Sequence, residues 1–249
     1  MTIFDTDAGW LTGLAVNALL LGGAWFAPRK LLTPQGYLHA GLLGVLTWGS
    51  LGWRGYLVVI VYLLAGVAAT RLGFARKQAA GIAEARNGLR GPENVWGSAL
   101  IGTLCALGAW FYGHDPNLSG LLVVGFVASY ATKLSDTWAS EVGKAYGRRT
   151  FLITSLKAVP PGTEGAISLE GSLAGVAGSL AIALVGLALG LITPVGVGVC
   201  ILAALVGTTV ESWIGATLQS RWEWLTNEVV NVLNTAIGAA VAIALASRI

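Results

Sequence analysis

The chain has 249 residues, 55% of them hydrophobic and only 11% charged, with a mean hydropathy of +0.73. Soluble globular chains carry about 25% charged residues, so this composition excludes a soluble domain and describes an integral membrane protein. The net charge of +3 comes with no separate basic domain, which leaves no nucleic-acid partner to expect and makes the charge a matter of topology.

The apolar runs are long and unbroken, unlike the short alternating segments of a transmembrane barrel, and one helical crossing takes about 20 residues. The sequence therefore predicts an all-α, polytopic membrane protein whose single transmembrane domain covers 1–249. Its eight predicted spans are 8–27, 37–53, 55–73, 95–112, 118–140, 168–192, 195–218 and 227–247. Acidic Asp5 and Asp7 precede the first span, and no basic n-region does, which argues against a cleaved signal peptide. Cys105 and Cys200 lie inside spans without metal-type spacing and are expected to pack. His39, placed in the outer half of the second span, and His114, in the loop "YGHDPNLSG", are expected to be structural or exposed.

Of the 15 Lys and Arg residues, all but Arg54 and Arg248 fall in loops after odd-numbered spans or in the adjoining half of the fifth span. Basic residues concentrate on the cytoplasmic side, so those loops are expected in the cytoplasm and both termini outside. Two of the loops, at about 74–94 and 144–167, are longer than simple connectors. The first is basic and reads as a segment lying on anionic headgroups. The second contains "PPGTEG", which marks turns in a solvated loop.

At the cytoplasmic end of the fifth span, "KLSDTWASEVGKAYG" brings charge into a membrane helix. Lys133, Asp136, Ser140 and Lys144 recur at steps of three and four and share one side. Glu141 lies roughly 140° around the helix from Asp136, so the two carboxylates need neighbouring helices to complete a common site. Glu170 opens the sixth span, Glu211 and Ser212 lie late in the seventh, and Asn227, Asn231 and Asn234 form a stripe on the eighth beside Glu228. An ionisable residue within a span costs about 2.5–3.5 kcal/mol even on the lenient insertion scale. A set of them on one face predicts a polar cavity there.

Carboxylates without His or Cys partners favour Mg²⁺, which commonly uses one or two carboxylates together with substrate phosphates. Lys144, Arg148, Arg149 and Lys157 supply positive charge for phosphates, and Gly162, Thr163 and Glu164 of "PPGTEG" offer a nest of backbone N–H groups. The residues thus point to a magnesium nucleotide at the cytoplasmic face. An ion-coupled transporter is the alternative, although its polar site belongs near the midplane and these groups crowd one end.

The blocks "SDTWASEVGKAYGRR", "PPGTEGAISLEGSLAG", "ESWIGATLQ" and "NEVVNVLNT", together with "AEARNGLRGPENVWGSA", resemble the signature blocks of the phytyl-phosphate kinase family, membrane enzymes of the vitamin E pathway in chloroplasts and cyanobacteria. Asp136, Ala139, Gly143, Gly147 and Arg148 also resemble the Asp-x-x-Ala-x-x-x-Gly-x-x-x-Gly-Lys pattern of CTP-using enzymes such as phytol kinases, dolichol kinases and phosphatidate cytidylyltransferases, with Arg148 in place of the final Lys. The resemblance implies transfer of a nucleotide γ-phosphoryl group, CTP by preference, to a prenyl monophosphate such as phytyl phosphate, for tocopherol and phylloquinone synthesis and phytol salvage. It leaves CTP-dependent kinases or cytidylyltransferases of other lipids as near alternatives. Asp136, Glu141, Glu170 and Glu211 would hold Mg²⁺, with Asp136, Lys133, Glu141 and Lys144 as the catalytic set. Arg86, Asn87, Asn94, Ser140, Arg148, Arg149, Gly162, Thr163, Glu164, Ser212, Asn227, Glu228, Asn231 and Asn234 would bind nucleotide or substrate. The implied location is the cell or thylakoid membrane of a photosynthetic bacterium.

Overall fold

The computed structural model describes residues 7–28, 30–219 and 221–249; the side chains of residues 7, 8, 85 and 87 fall outside that description. The chain forms α1 (Asp7–Trp25), α2 (Pro34–Arg71), the short α3 (Phe74–Ala79), a 3₁₀ turn at Ala85–Gly88, α4 (Pro92–Phe111), α5 (Pro116–Tyr146), a two-residue pair of strands β1 (Phe151–Leu152) and β2 (Ala166–Ile167), then α6 (Leu169–Ala188), α7 (Pro194–Thr217) and α8 (Asn227–Ala246). Among the described residues, six helices are long and apolar enough to cross a membrane, and a shorter apolar helix covers Gly9–Trp25.

α2 contains both the second and third predicted spans. Its 38 residues would measure about 57 Å if straight, nearly twice the hydrocarbon thickness of about 30 Å. The helix is broken at Gly52, where φ 64° and ψ −163° belong to a region open essentially only to glycine. Contacts on either side show that the chain reverses there. Trp48 and Tyr56 meet edge to face at 5.2 Å, and Asn17 lies against Gly44 while accepting a hydrogen bond from Tyr56 Oη. Gly36 and Gly66, 30 positions apart in sequence, both lie against Arg90. α2 is thus a helical hairpin whose two arms hold the second and third predicted crossings. Nothing lies within 4 Å of a Cβ placed on Gly52, so Gly52→Ala should add backbone strain alone, about 1–3 kcal/mol, read as a lower thermal midpoint in detergent.

Successive crossings are antiparallel. Ser119 Oγ bonds Ala109 O across α4 and α5, and Gly143, Gly175 and Gly186 follow α5 and α6 in opposite directions. The small residues let these two backbones meet: a Cβ on Gly171 would lie 2.6 Å from Ala139 O, and helix packing in membranes depends on such small-residue approaches. α5 is the central mast, with Phe126, Val127, Ala128, Tyr130, Ala131 and Leu134 all at 0% exposure, and it touches α2, α3, α4, α6, α7 and α8. One face of the bundle therefore carries the two long loops, the α1–α2 connection and the α7–α8 connection. The N-terminal end of α1 and the C-terminal end of α8 lie at the other.

Both long loops are folded elements. In the first, α3 turns back onto the end of α5: Arg76 Nη1 donates to Ala145 O at 2.9 Å, and Gly73, at φ 62°, lies against Ala145. In the second, Phe151 pairs with Ile167 and Leu152 with Ala166. Gly165, at φ 72°, sits so close to α7 that a Cβ would lie 2.5 Å from Ser212 O. Both loops thus form a lid-like wall over one end of the bundle, and the second keeps residues 154–158 and 160–164 exposed, as a solvated loop does.

Candidate functional site

Beneath that wall lies a cavity of about 460 Å³, bounded by α4, α5, α6, α7, α8 and both long loops. Its floor is the end of α5. Lys133, 7% exposed, donates from Nζ to Asp136 Oδ2 at 2.5 Å and to Asn231 Oδ1 at 2.7 Å. One side chain thus ties two of the predicted polar stripes together. Glu211 of α7 has Asp136, Lys133 and Glu164 as its electrostatic neighbours and the Ser212 hydroxyl beside it.

Many expected residues do share this cavity: Lys133, Asp136, Ser140, Glu141 and Lys144 from α5, Glu211 and Ser212 from α7, and Asn227, Glu228 and Asn231 from α8. Arg86 and Asn94 join from the first loop and α4, and Gly162, Thr163 and Glu164 from the second loop. Asn94 has a local duty as well. Its Oδ1 accepts from Gly91 N–H at 3.0 Å and from Arg86 Nη2 at 2.9 Å, capping α4 as an N3 residue does in a capping box. Thr163 Oγ1 closes its own turn on Pro160 O at 2.8 Å.

Other expected residues stand outside its wall or lie elsewhere than expected. Glu170, half-buried in the first turn of α6, is outside the cavity wall, which takes Ser168, Gly171 and Ser172 from that region instead. Arg148 and Arg149 are exposed beyond the end of α5 and do not line it. Asn234, one turn deeper than Asn231, is wholly buried against Gly207, and neither amide atom has a hydrogen-bond partner among the described residues. The Asn87 side chain lies outside the described residues. His39 sits near the loop-rich end of α2, opposite to the outer placement, because the second span starts at that face; its Nδ1 accepts from Trp96 Nε1 at 2.8 Å.

Glu141 reaches the cavity but is not a free ligand. Lys77 of α3 pairs with its Oε2, and Lys77 Nζ also donates to Thr70 O at 2.8 Å. Lys77 is 0% exposed and Glu141 2%. Sequence alone gave no sign of this pair, because Lys77 stands in a basic run and only the return of α3 onto α5 buries it. Arg90 was missed for the same reason; it lines the cavity and donates from Nη1 to Tyr62 Oη at 3.3 Å.

The charge balance of the wall defines what it can accept. Glu84, Asp136, Glu141, Glu164, Glu211 and Glu228 give six carboxylates, against four cations in Arg86, Arg90, Lys133 and Lys144. With Glu141 already paired to Lys77 behind the wall, one carboxylate remains in excess, a balance that suits a polyphosphate arriving with a divalent cation better than a bare one. No three Asp, Glu, His or Cys side chains among the described residues cluster closely enough to cage a metal. Mg²⁺ fits even so, since it takes one or two carboxylates plus substrate oxygens, and Asp136 and Glu211 are neighbours with that capacity. The N-termini of α4, α6 and α8 also open at this face, each with backbone N–H groups and a positive dipole end suited to phosphate.

Fold and site together define a polytopic membrane protein with an acid-rich, phosphate-compatible cavity at one face of a helical bundle. The chain belongs to the integral membrane protein family DUF92, whose model matches residues 17–239. It is 59% identical over 234 residues to the uncharacterized membrane protein sll0875 of Synechocystis, covering 94% of this chain and 90% of the relative. It is 45% identical over 238 residues to Protein VTE6, chloroplastic, of Arabidopsis thaliana, covering 94% of this chain and 71% of that protein. An archaeal relative, the uncharacterized membrane protein MJ0933 of Methanocaldococcus jannaschii, is 31% identical over 86% of this chain and 85% of its own length. No solved structure matches.

Proposed function

We propose that the protein is a phosphotransferase that converts a prenyl monophosphate, phytyl phosphate above all, to the diphosphate at the expense of a magnesium nucleotide, CTP by family resemblance. The observation that carries this reading is the single cavity that joins an excess of carboxylates, buried Lys133 and three helix N-termini at one end of a membrane bundle. Family membership and the similarity to the chloroplastic protein VTE6 support the pathway of prenyl phosphates. The asymmetry of basic residues supports a cytoplasmic site with both termini outside.

In the transfer, the bond between the γ-phosphorus and the β–γ bridging oxygen breaks, and a bond forms from that phosphorus to an oxygen of the acceptor phosphate. The nucleoside diphosphate leaves with the electron pair. The acceptor is already ionised, so no general base is required and catalysis is positioning and charge neutralisation. Mg²⁺ held by Asp136 and Glu211 would neutralise donor phosphates. Lys133, fixed between Asp136 and Asn231, directs a positive charge into the cavity floor, while Lys144, Arg86 and Arg90 face the phosphates from the sides. Below Lys133 the core of α5 is solidly packed at Phe126, Val127 and Ala131, which gives little support to a carrier serving both faces.

Purified protein in detergent, incubated with phytyl phosphate, Mg²⁺ and each of CTP, ATP, GTP and UTP, should form phytyl diphosphate with one preferred donor. EDTA should abolish the product, as followed by mass spectrometry. Absence of diphosphate with every donor, in protein shown to be folded, overturns the assignment.

A further inference from the structure

A second cavity, of about 70 Å³, lies between α1, α2, α4 and α5, and its wall is almost entirely apolar. It adjoins the polar one. Arg90, Asn94 and Ser98 line both, so the guanidinium of Arg90 stands where an ionic chamber meets a hydrocarbon one. Of its lining, Leu32, Leu43, Val59, Val95 and Ala99 are buried, whereas Leu21, Ala40, Ile60 and Leu63 are partly exposed.

We infer that this apolar cavity grips the first isoprene unit of the lipid acceptor, with its phosphate at Arg90 and the rest of the tail leaving between Ala40 and Leu63 into the bilayer. The inference rests on the phosphotransferase reading for the identity of the acceptor, but the pocket for a lipid monophosphate stands on its own geometry. Two chambers of opposite polarity joined at one arginine match an amphiphile with a compact anionic head and an apolar tail. A nucleotide alone has no use for the second chamber. The volume is room for roughly five water-sized groups, the size of one branched five-carbon unit. A longer tail must therefore leave the protein, and the partly exposed side chains mark where.

The aromatic lining adds an independent sign. Tyr130 Oη is wholly buried and has no hydrogen-bond partner among the described residues, a costly state for a hydroxyl in an apolar setting. Tyr130 lines this cavity, and its ring lies 5.3 Å from that of Tyr62, the residue that accepts from Arg90. The unpartnered hydroxyl thus belongs to a side chain in the same wall as the Arg90–Tyr62 contact.

Two measurements test the pocket. In the first, a prenyl monophosphate with a diazirine near the head is photolysed with the whole protein in liposomes, and the labelled peptides are identified. Labels on the segments holding Val59, Val95 or Ala99 are expected. Labels confined to the lipid-facing leucines Leu104, Leu180 and Leu202, or no labels, overturn the inference. This readout needs no turnover, so labelling of the pocket in a protein that forms no diphosphate would sink the reaction and keep the site. In the second, Ala40→Trp narrows the exit at a partly exposed position, and the ratio of kcat/KM for a C20 over a C5 prenyl monophosphate is compared with wild type. A fall of at least tenfold in that ratio supports the exit path; an unchanged ratio shows that the tail runs elsewhere.

Discussion

Asp136→Asn is expected to lower phosphoryl transfer by at least about 100-fold, the size of effect that follows loss of one preorganised charge at a reacting phosphate, with expression and thermal midpoint little changed. The substitution keeps the shape of the side chain and removes the charge that would hold a metal. Lys133 retains Asn231 at 2.7 Å and the nearby Glu211 carboxylate, so its burial stays compensated. Raising Mg²⁺ should recover part of the loss if the defect lies in metal binding. A variant with wild-type turnover would limit Asp136 to partnering Lys133, and a variant that loses turnover and melts early would make the residue structural.

The second large effect concerns the pair Lys77 and Glu141. Glu141→Gln should leave the Lys77 ammonium at 0% exposure opposite a neutral amide, and breaking a buried pair by removing one partner costs about 3–5 kcal/mol. At this chain length the thermal midpoint should fall by roughly 10 °C. Replacing both, as Lys77→Met with Glu141→Leu, should restore most of it, because a well-packed apolar pair of similar volume commonly matches a buried ion pair. The same double variant separates two roles for Glu141. Restored stability with intact turnover assigns the pair to docking α3 on α5; restored stability without turnover returns Glu141 to the chemistry.

The crossings were legible because the bilayer allows few alternatives: runs of about 20 apolar residues bounded by Pro, Gly and charge read as helices without further help. The break between 53 and 55 was placed within two residues of Gly52, yet nothing in "WGSLGWRGY" says that the helix reverses through a single glycine. At the site, the stripe on α5 and the asparagines of α8 were legible from helical spacing. Their joining through Lys133 is tertiary, as are the contributions of Lys77 and Arg90, whose basic neighbourhood in sequence resembles any headgroup-facing loop. Glu170 stands outside the cavity wall for a related reason. In "SLEGSLAG" the charged residue attracts notice, but α6 turns its small residues toward α5, and the cavity receives Ser168, Gly171 and Ser172.

The length of α5 has a kinetic consequence. Its 31 residues extend about 46 Å, roughly ten residues more than the hydrocarbon requires, and the surplus ends at the loop-rich face. In the proposed reaction, a pocket carried at that height would meet its two solutes by different searches. The water-soluble one would arrive from three dimensions, and the amphiphile by lateral diffusion within a leaflet. Turnover in liposomes should therefore follow the mole fraction of lipid acceptor in the bilayer rather than its bulk concentration, and adding inert phospholipid at constant acceptor should slow the enzyme by surface dilution.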